Sequence, residues 1–312
     1  MRTNSPDRRQ FLKTAALATA GVAFSGLAPL AATGDRPAAA YKTPGPLQKK
    51  SLKLGMVKED LSLLDKFKLL KDLGFDGVEL DSPNSFSKTE VVKAIEQTGL
   101  EVPGVVNSDH WKLPLSHPDP EVRTACINSM KTALQDCRDY GGTTVLLVAG
   151  AVNGQTPYHL AWQHCTGGIR QMLPVAEQTG VKIAIENVWN NFLLSPLEAA
   201  RFVDQFDSPL VGWYFDVGNI VRYGWPQHWI QALGSRIIKI DIKEYSRKKQ
   251  TDEGIWKGFE VELLEGDCDW PEVNRALAKT GYQGWGSAEV PGGDRKRLRK
   301  ISELMDKIYR IN

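Results

Sequence analysis

The feature that most limits how this chain can fold is a regular alternation of short apolar runs with longer amphipathic ones. Eight runs rich in β-branched and aromatic residues are separated by stretches with the 3.6-residue period of a helix. The predicted strands begin at Leu52, Gly77, Glu101, Thr143, Val181, Val211, Ile237 and Gly284. This alternation predicts a parallel sheet, because each strand has to return through a helix before the next one can align with it.

Glycine marks the ends of the predicted helices. At five of these ends a glycine stands shortly before the next apolar run, as expected where a helix terminates in the left-handed conformation. These residues are Gly74, Gly99, Gly141, Gly180 and Gly281. Eight βα units in roughly 260 residues match a closed (β/α)₈ TIM barrel, an α/β fold of a single domain. An open doubly wound sheet is the alternative, but no glycine-rich phosphate loop follows the first predicted strand to favour it.

The first 40 residues are predicted to be an export signal rather than part of the fold. The motif "DRRQFLK" at 7–13 precedes a moderately apolar run rich in alanine and glycine, and it resembles a twin-arginine (Tat) signal. We therefore expect a signal peptide over 1–40, a Pro/Gly linker over 41–51 and the barrel over 52–312. This assignment implies contact with the Tat translocase during export and a mature protein in the periplasm. A disordered tail with a chance Arg-Arg pair is the alternative.

Composition narrows the classes of partner. The 312 residues carry a formal net charge of only +2 at pH 7, which gives no reason to expect nucleic acid or an anionic membrane as a partner. Beyond the N-terminal segment no window is long and apolar enough to span a bilayer, so no stable membrane anchor is expected. The four cysteines have no CxxC spacing and are predicted to be buried thiols.

Acidic residues lie at the ends of the last four predicted strands. They are Glu186, Asp216, Asp241 and Glu289. The carboxyl ends of barrel strands surround one site, so these side chains are expected to meet. Unpaired carboxylates in one pocket repel each other and would take up protons or move apart unless a cation lay among them. An all-oxygen set suits a hard or borderline divalent ion, and we predict Mn²⁺ or Mg²⁺ as the cofactor.

Five motifs also carry a resemblance to a known family. They are "IAIENVW", "YFDVGN", "IIKIDIKEY", "LLEGDCDWPEV" and "GSAEV". In order and spacing they are similar to the xylose isomerase-like TIM-barrel superfamily of sugar (phosphate) isomerases and epimerases, and the resemblance runs from about Leu52 to the C-terminus. It implies a metal held by Glu, Asp, His and Glu from strands five to eight, with the two glutamates also moving a proton on a sugar carbon. Glu186 and Glu289 are the implied catalytic pair.

Asp241 departs from the family pattern. Where relatives read like "VHVKDF", this chain has "IDIKEY", so Asp241 stands at the histidine position. A carboxylate in place of an imidazole adds negative charge and favours a harder ion. Alternatively, Asp241 only pairs with Lys243 or Arg247. Oligomerisation is common in the family, so a homo-oligomer is left open, although no interface can be recognised in the sequence.

Polar and aromatic residues near the strand ends are candidate sugar-binding residues. They are His110, Trp111, Asn187, Trp189, Asn219, Lys243 and Arg247. Arg247 matches the position of a substrate-contacting arginine in ketose epimerases of the family. Indole rings can cover the face of a sugar, while the polar side chains can bond its oxygens. The structural alternatives are core packing for the tryptophans, neutralisation of nearby acids for Lys243 and a solvated basic loop for Arg247.

These features predict a metal-dependent sugar isomerase or epimerase. Proton abstraction next to a carbonyl forms an enediolate, with one of the two glutamates removing the proton and the other returning it. Export favours a non-phosphorylated keto-sugar as substrate, since phosphorylated sugars are chiefly cytosolic. Two alternatives stay open: a 3-keto-glycoside lyase or hydratase that shares the first step, and a non-catalytic sugar-binding barrel.

Overall fold

The strands form a closed parallel barrel surrounded by helices, which confirms the predicted fold class. In this computed structural model, residues 45–311 are described. The strands are β1 Leu47–Leu52, β2 Leu80–Ser82, β3 Gly104–Asn107, β4 Thr144–Leu147, β5 Lys182–Glu186, β6 Val211–Asp216, β7 Ile237–Ile242 and β8 Gly284–Ala288. They pair in parallel in the order β1-β8-β7-β6-β5-β4-β3-β2.

β1 and β2 lie at the two ends of this order, and backbone hydrogen bonds between their chain segments close the barrel. Glu79 N donates to Leu52 O at 2.8 Å, and Leu54 N donates to Glu79 O at 2.8 Å. A parallel bridge between Lys53 and Glu79 lies at the same place. Closure leaves no free sheet edge and directs the carboxyl ends of all the strands to one mouth.

Helices connect the strands on the outside of the barrel. Among the described residues they are α1 Leu63–Asp72, α2 Lys88–Thr98, α3 Pro120–Asp139, α4 Tyr158–Thr179, α5 Pro196–Asp204, α6 Val217–Val221, α7 Pro226–Leu233, α8 Arg247–Glu253, α9 Trp270–Thr280 and α10 Arg295–Arg310. Ser195 caps α5 by accepting a hydrogen bond from Glu198 N at 3.2 Å. Gly99 and Gly180 end α2 and α4 with φ of 61° and 71°, as the glycine pattern predicts.

The first strand begins earlier than predicted. It starts at Leu47 rather than Leu52, so the end of the predicted linker over 41–51 belongs to the barrel. Two lysines obscure its apolar pattern, but one of them, Lys50, is buried. Its Nζ donates to Ser302 Oγ at 2.8 Å and lies 2.6 Å from Asp306 Oδ1 on α10. The predicted signal peptide over 1–40 lies outside the described residues.

The apolar core has two parts. A large cluster fills the space between the sheet and the helices, and a smaller one consists of Leu146, Val148, Ala184 and Tyr214. Side chains two residues apart share a strand face, so Glu186 and Asp216 lie on the same face as Ala184 and Tyr214. No helix among residues 45–311 has the length and apolar character to cross a membrane.

The cysteines are buried thiols, as predicted. Cys126, Cys137, Cys165 and Cys268 are all buried and none forms a disulfide. Burial raises the pKa of the Cys126 and Cys137 thiols to about 12, which keeps them protonated and unreactive.

Candidate active site

Four carboxylates meet at the mouth of the barrel because of where they stand on their strands. Glu186 and Asp216 are the last residues of β5 and β6, Asp241 is paired in register with Asp216, and Glu289 directly follows β8. One oxygen from each of the four lies within 4.8 Å of the others. We call this group, Glu186, Asp216, Asp241 and Glu289, the carboxylate cup.

The cup is closed below and open to solvent on one side. The side chains of Asp216 and Asp241 are 0% exposed, and Glu186 is buried, whereas the side chain of Glu289 is 38% exposed. A ligand can therefore reach the cup from the side of Glu289, while Asp216 and Asp241 stay shielded from water.

Two lysines enter the cup, and one of them was not predicted. Lys243 Nζ lies 2.7 Å from Asp216 Oδ2 and 3.3 Å from Glu289 Oε1, which places this predicted residue in the site. Lys53 Nζ lies 3.0 Å from Asp241 Oδ1. The sequence did contain a signal for Lys53, because it directly follows β1 and so also stands at a strand end.

Below the cup lies a second charged layer around Glu79. Its carboxylate pairs with Lys239 and with Lys53, which is 2.6 Å away, and accepts a hydrogen bond from Tyr214 Oη at 2.9 Å. Burial alone would raise the pKa of Glu79, but the two ammonium groups outweigh it and hold this pKa at about 2. Glu79 is therefore an ionised part of the barrel interior that helps to hold Lys53 in place.

The charges of the site do not balance. If all groups are ionised, the cup and Glu79 carry five negative charges, against three positive charges on Lys53, Lys239 and Lys243, which leaves two negative charges. Burial, reinforced by the charges of Glu289 and Asp216, raises the pKa of Glu186 well above its ordinary value. Such a site is stabilised either by taking up protons or by binding a cation.

The donor set fits a divalent cation. Asp216 Oδ2 and Asp241 Oδ1 are buried and accept no hydrogen bond of acceptable geometry, although a lysine ammonium is near each. Burial also raises the pKa of both carboxyls, that of Asp241 well above its ordinary value. Convergent carboxylate oxygens with a surplus of negative charge are the ligands that Mg²⁺ and Mn²⁺ prefer.

Two of the cavities that border the cup share Trp111, Glu186 and Glu289, and a third, of about 300 Å³, adjoins Glu289 and Lys243. The first, of about 330 Å³, is lined by Lys53, Asp81, Val106, Asn107, Ser108, His110, Trp111, Leu146, Glu186 and Glu289. The second, of about 190 Å³, is lined by Trp111, Glu186, Val188, Trp189, Asn219, Lys243, Trp256, Phe259 and Glu289. Five of the predicted sugar-binding residues line these cavities, namely His110, Trp111, Trp189, Asn219 and Lys243.

A family model for the xylose isomerase-like TIM barrel matches residues 67–311. The chain belongs to this family. A second model, for a twin-arginine translocation pathway signal sequence, matches residues 5–25 and confirms the predicted type of N-terminal signal.

Individual members of the xylose isomerase-like family also resemble the chain. L-ribulose-5-phosphate 3-epimerase of Shigella boydii is 26% identical over 233 residues, which cover 71% of this chain and 79% of that protein. D-psicose 3-epimerase of Clostridium cellulolyticum has a TM-score of 0.71 at 16% identity, covering 85% of this chain and 99% of the other. The 3-keto-D-glucoside 4-epimerase of E. coli has a TM-score of 0.69 at 16% identity, covering 83% and 98%.

Asn187 is buried in this xylose isomerase-like site and bonds the end of β6. Its Nδ2 donates to Asp216 O at 2.7 Å, and its Oδ1 accepts from Asp216 N and from Trp213 Nε1, both at 3.0 Å. Asn219 lies beside it, accepts a bond from Trp189 Nε1 through its backbone oxygen at 2.8 Å and lines the smaller cavity. These bonds give Asn187 a positioning role, and its predicted sugar contact stays a prediction.

Arg247 is not among the residues that line the two cavities. Its Nε and Nη2 atoms donate to Val221 O at 3.1 Å and Gly224 O at 2.8 Å, and its guanidinium lies over the Trp225 ring at 5.1 Å. The position matches the family pattern, but in this structure the side chain bonds the end of α6 and the loop after it, so the sugar contact of Arg247 stays a prediction. The orientation of a long side chain in a loop is not fixed by its sequence position.

His110 is a buried member of the site. Its Nδ1 accepts a hydrogen bond from Val148 N at 3.2 Å, and its ring contacts Trp111 edge to face. Burial lowers its pKa to about 4, so the ring is neutral at physiological pH. Since Nδ1 accepts, Nε2 carries the proton and is available as a donor.

A larger cavity of about 650 Å³ lies at the other end of the barrel. Its lining includes Lys182 and Val211, the first residues of β5 and β6, and contains no residue of the cup. In TIM barrels the amino-terminal face contributes to stability rather than to catalysis. Size alone therefore does not mark the functional site of this molecule.

Proposed function

We propose that this protein is a sugar isomerase or epimerase that depends on a divalent metal and acts on a non-phosphorylated keto-sugar. The observation that carries the proposal is the convergence of Glu186, Asp216, Asp241 and Glu289, each offering an oxygen within 4.8 Å of the others at the mouth of the barrel. The epimerases among the similar proteins support the same class of reaction.

The four residues of the carboxylate cup would hold the ion, with Mn²⁺ or Mg²⁺ as the candidates. When bound, such an ion supplies Lewis-acid polarisation of the substrate oxygens and stabilises negative charge that develops on them. The family resemblance implies a histidine where this chain has Asp241, and the carboxylate at this position is accompanied here by Lys53, at 3.0 Å.

Glu186 and Glu289 are the proposed acid and base pair. One of them removes a proton from the carbon next to the carbonyl, and the other returns a proton to the neighbouring carbon or to the opposite face. Lys243, 3.3 Å from Glu289 Oε1, keeps that carboxylate ionised and oriented. The partial burial of the Glu289 side chain raises its pKa, but Lys243 and Lys53 outweigh this effect and hold the pKa at about 2.

The cavities favour an uncharged sugar over a sugar phosphate. Among the described residues that line them, the cationic side chains are Lys53 and Lys243, and carboxylates already pair with both. A phosphate would meet no unpaired cation there and would lie near the surplus negative charge of the cup. The Tat signal at residues 5–25 also favours an uncharged sugar, because export to the periplasm would remove the enzyme from cytosolic sugar phosphates.

Solvent deuterium incorporation into keto-sugars tests the proposal. In Glu289→Gln the exchange rate is expected to fall by roughly 10²- to 10⁴-fold, the usual contribution of one general acid or base. Glu265→Gln, a change of the same kind at an exposed glutamate outside the cup, should keep the parent rate. Metal content is measured in parallel, so that loss of the ion is separated from loss of the base. A near-parent exchange rate in Glu289→Gln would refute the assignment.

A further inference from the structure

An aromatic surface extends from the carboxylate cup towards solvent. It consists of Phe259, Trp189 and Trp256, and we call it the aromatic platform. The Phe259 ring lies 5.5 Å from Lys243 Nζ, and Trp189 contacts the rings of Phe259 and Trp256 at centroid distances of 4.8 and 4.9 Å. One end of the platform therefore lies beside Lys243, which pairs with the cup, and the other end lies closer to solvent.

The outer end of the platform is unusually exposed for indole. Trp256 is 66% exposed, and Trp111, which lines the same cavity, is 58% exposed. Indole rings bury large areas in folded proteins, and exposed ones that border a cavity are typical of ligand sites. The same cavity contains Glu186 and Glu289, so both exposed rings belong to the proposed active site.

The platform is a built surface rather than a loose loop. Tyr245 Oη bonds to Gln250 Oε1 and to Ile255 O, both at 2.7 Å, and the Tyr245 ring packs against Phe259 at 4.8 Å. A side chain at Gly258 would overlap the Tyr245 ring, so glycine is required for this approach. Trp256 is thus held at the cavity by a loop with a defined conformation.

We infer that the substrate carries a second ring, glycosyl or aryl, joined to the sugar that reacts, and that Trp256 and Trp111 bind this second ring. The larger of the two cavities that share Glu186 and Glu289 can hold the reacting sugar, and Trp256 lines only the smaller one. A single ring in the larger cavity therefore leaves Trp256 uncovered. A substituent that extends outwards meets the face of an indole. This inference rests on the proposed function, since it takes the cup to be occupied by a sugar.

Ligand-observed NMR titration of the purified protein tests the inference without requiring turnover. The probes are methyl β-D-glucopyranoside, which has no second ring, phenyl β-D-glucopyranoside and cellobiose. We expect the two probes with a second ring to bind roughly three- to tenfold more tightly than the methyl glycoside, the range given by aromatic ring contacts. A preference for the phenyl glucoside or for cellobiose distinguishes an aryl from a glycosyl substituent.

Variants test whether the tighter binding of the probes with a second ring depends on the aromatic platform. In Trp256→Ala the ratio between the affinities for the two-ring probes and for the methyl glycoside should fall to about one, and Trp256→Phe should restore part of it. Trp225→Ala is the matched control, because Trp225 is 55% exposed but stacks on Arg247 away from the cavities. Equal binding of all probes, no binding of any probe, or an advantage that survives Trp256→Ala would overturn the inference.

Deuterium exchange into keto-sugars reports on the proposed function separately. If deuterium exchanges into keto-sugars but the two-ring probes bind no more tightly than the methyl glycoside, the inference is contradicted and the proposed function stands. If the two-ring probes bind more tightly because of Trp256 but no deuterium exchanges, the ring-binding site is supported and the proposed function is contradicted.

Discussion

Replacing Lys53 with methionine removes the cation that pairs with Asp241, the carboxylate that stands at the histidine position of the family pattern. Lys53 Nζ lies 3.0 Å from Asp241 Oδ1 and 2.6 Å from Glu79 Oε2, and the side chains of these two acids are 0% and 1% exposed. Among the described residues, Lys53 is the cation that contacts Asp241, whereas Glu79 also pairs with Lys239. The variant therefore leaves one buried carboxylate without a cationic partner.

The size of the effect follows from this burial. Breaking a buried ion pair by removing one partner costs about 3–5 kcal/mol. Burial raises the pKa of Asp241, so protonation of this carboxyl limits the loss, and the lower figure of about 3 kcal/mol applies. For a domain of this length, each kcal/mol shifts the Tm by roughly 2–4 °C, so the Tm of Lys53→Met should fall by about 6–12 °C in EDTA.

A divalent ion should offset much of this loss. Without the ammonium group the cup is more negative by one charge, so Mn²⁺ is expected to bind more tightly and to stabilise the variant more than the parent protein. Calorimetric Tm values of both proteins, in EDTA and in excess MnCl₂, measure the effect. We expect Mn²⁺ to reduce the difference in Tm between the two proteins by about half or more.

The control is Lys68→Met, which breaks an exposed pair with Asp65 at 3.1 Å and should leave the Tm unchanged. A parent-like Tm for Lys53→Met in EDTA would refute the claim that the buried pair matters. A Tm deficit that Mn²⁺ does not reduce would refute the claim that the cup accepts the ion next to Lys53.

Three further predictions concern the ion itself. Dialysis against EDTA should abolish deuterium exchange into keto-sugars, and Mn²⁺ or Mg²⁺ should restore it. Mass spectrometry of the purified protein should find about one divalent ion per chain, whereas a sugar-binding barrel without catalysis need not contain one. Asp241→His restores the family ligand and should shift the order of metal affinities from Mg²⁺ towards borderline ions such as Co²⁺ and Zn²⁺, as measured by competition titration. An unchanged order would show that Asp241 is not a ligand.

The barrel and the meeting of the four carboxylates could both be predicted from the amino-acid sequence. Periodicity identifies the strands, and parallel strands in a closed barrel bring their carboxyl ends to one mouth, so the position of an acid along its strand is sufficient to place it there. For this reason Glu186, Asp216, Asp241 and Glu289 were predicted to converge before any distance was known, and the structure places them together.

The groups that surround those carboxylates could be identified only in the folded chain. Lys53 pairs with Asp241, which is 188 positions away in the sequence, and hydrophobic periodicity does not predict such a contact. Asn187 and Arg247 stand where sugar contacts were expected, but one bonds the end of β6 and the other bonds a neighbouring loop. The physical reason is that strand periodicity fixes the backbone and the direction of short side chains, whereas ion pairs across the barrel and the orientation of side chains in loops depend on distances between segments far apart in the chain.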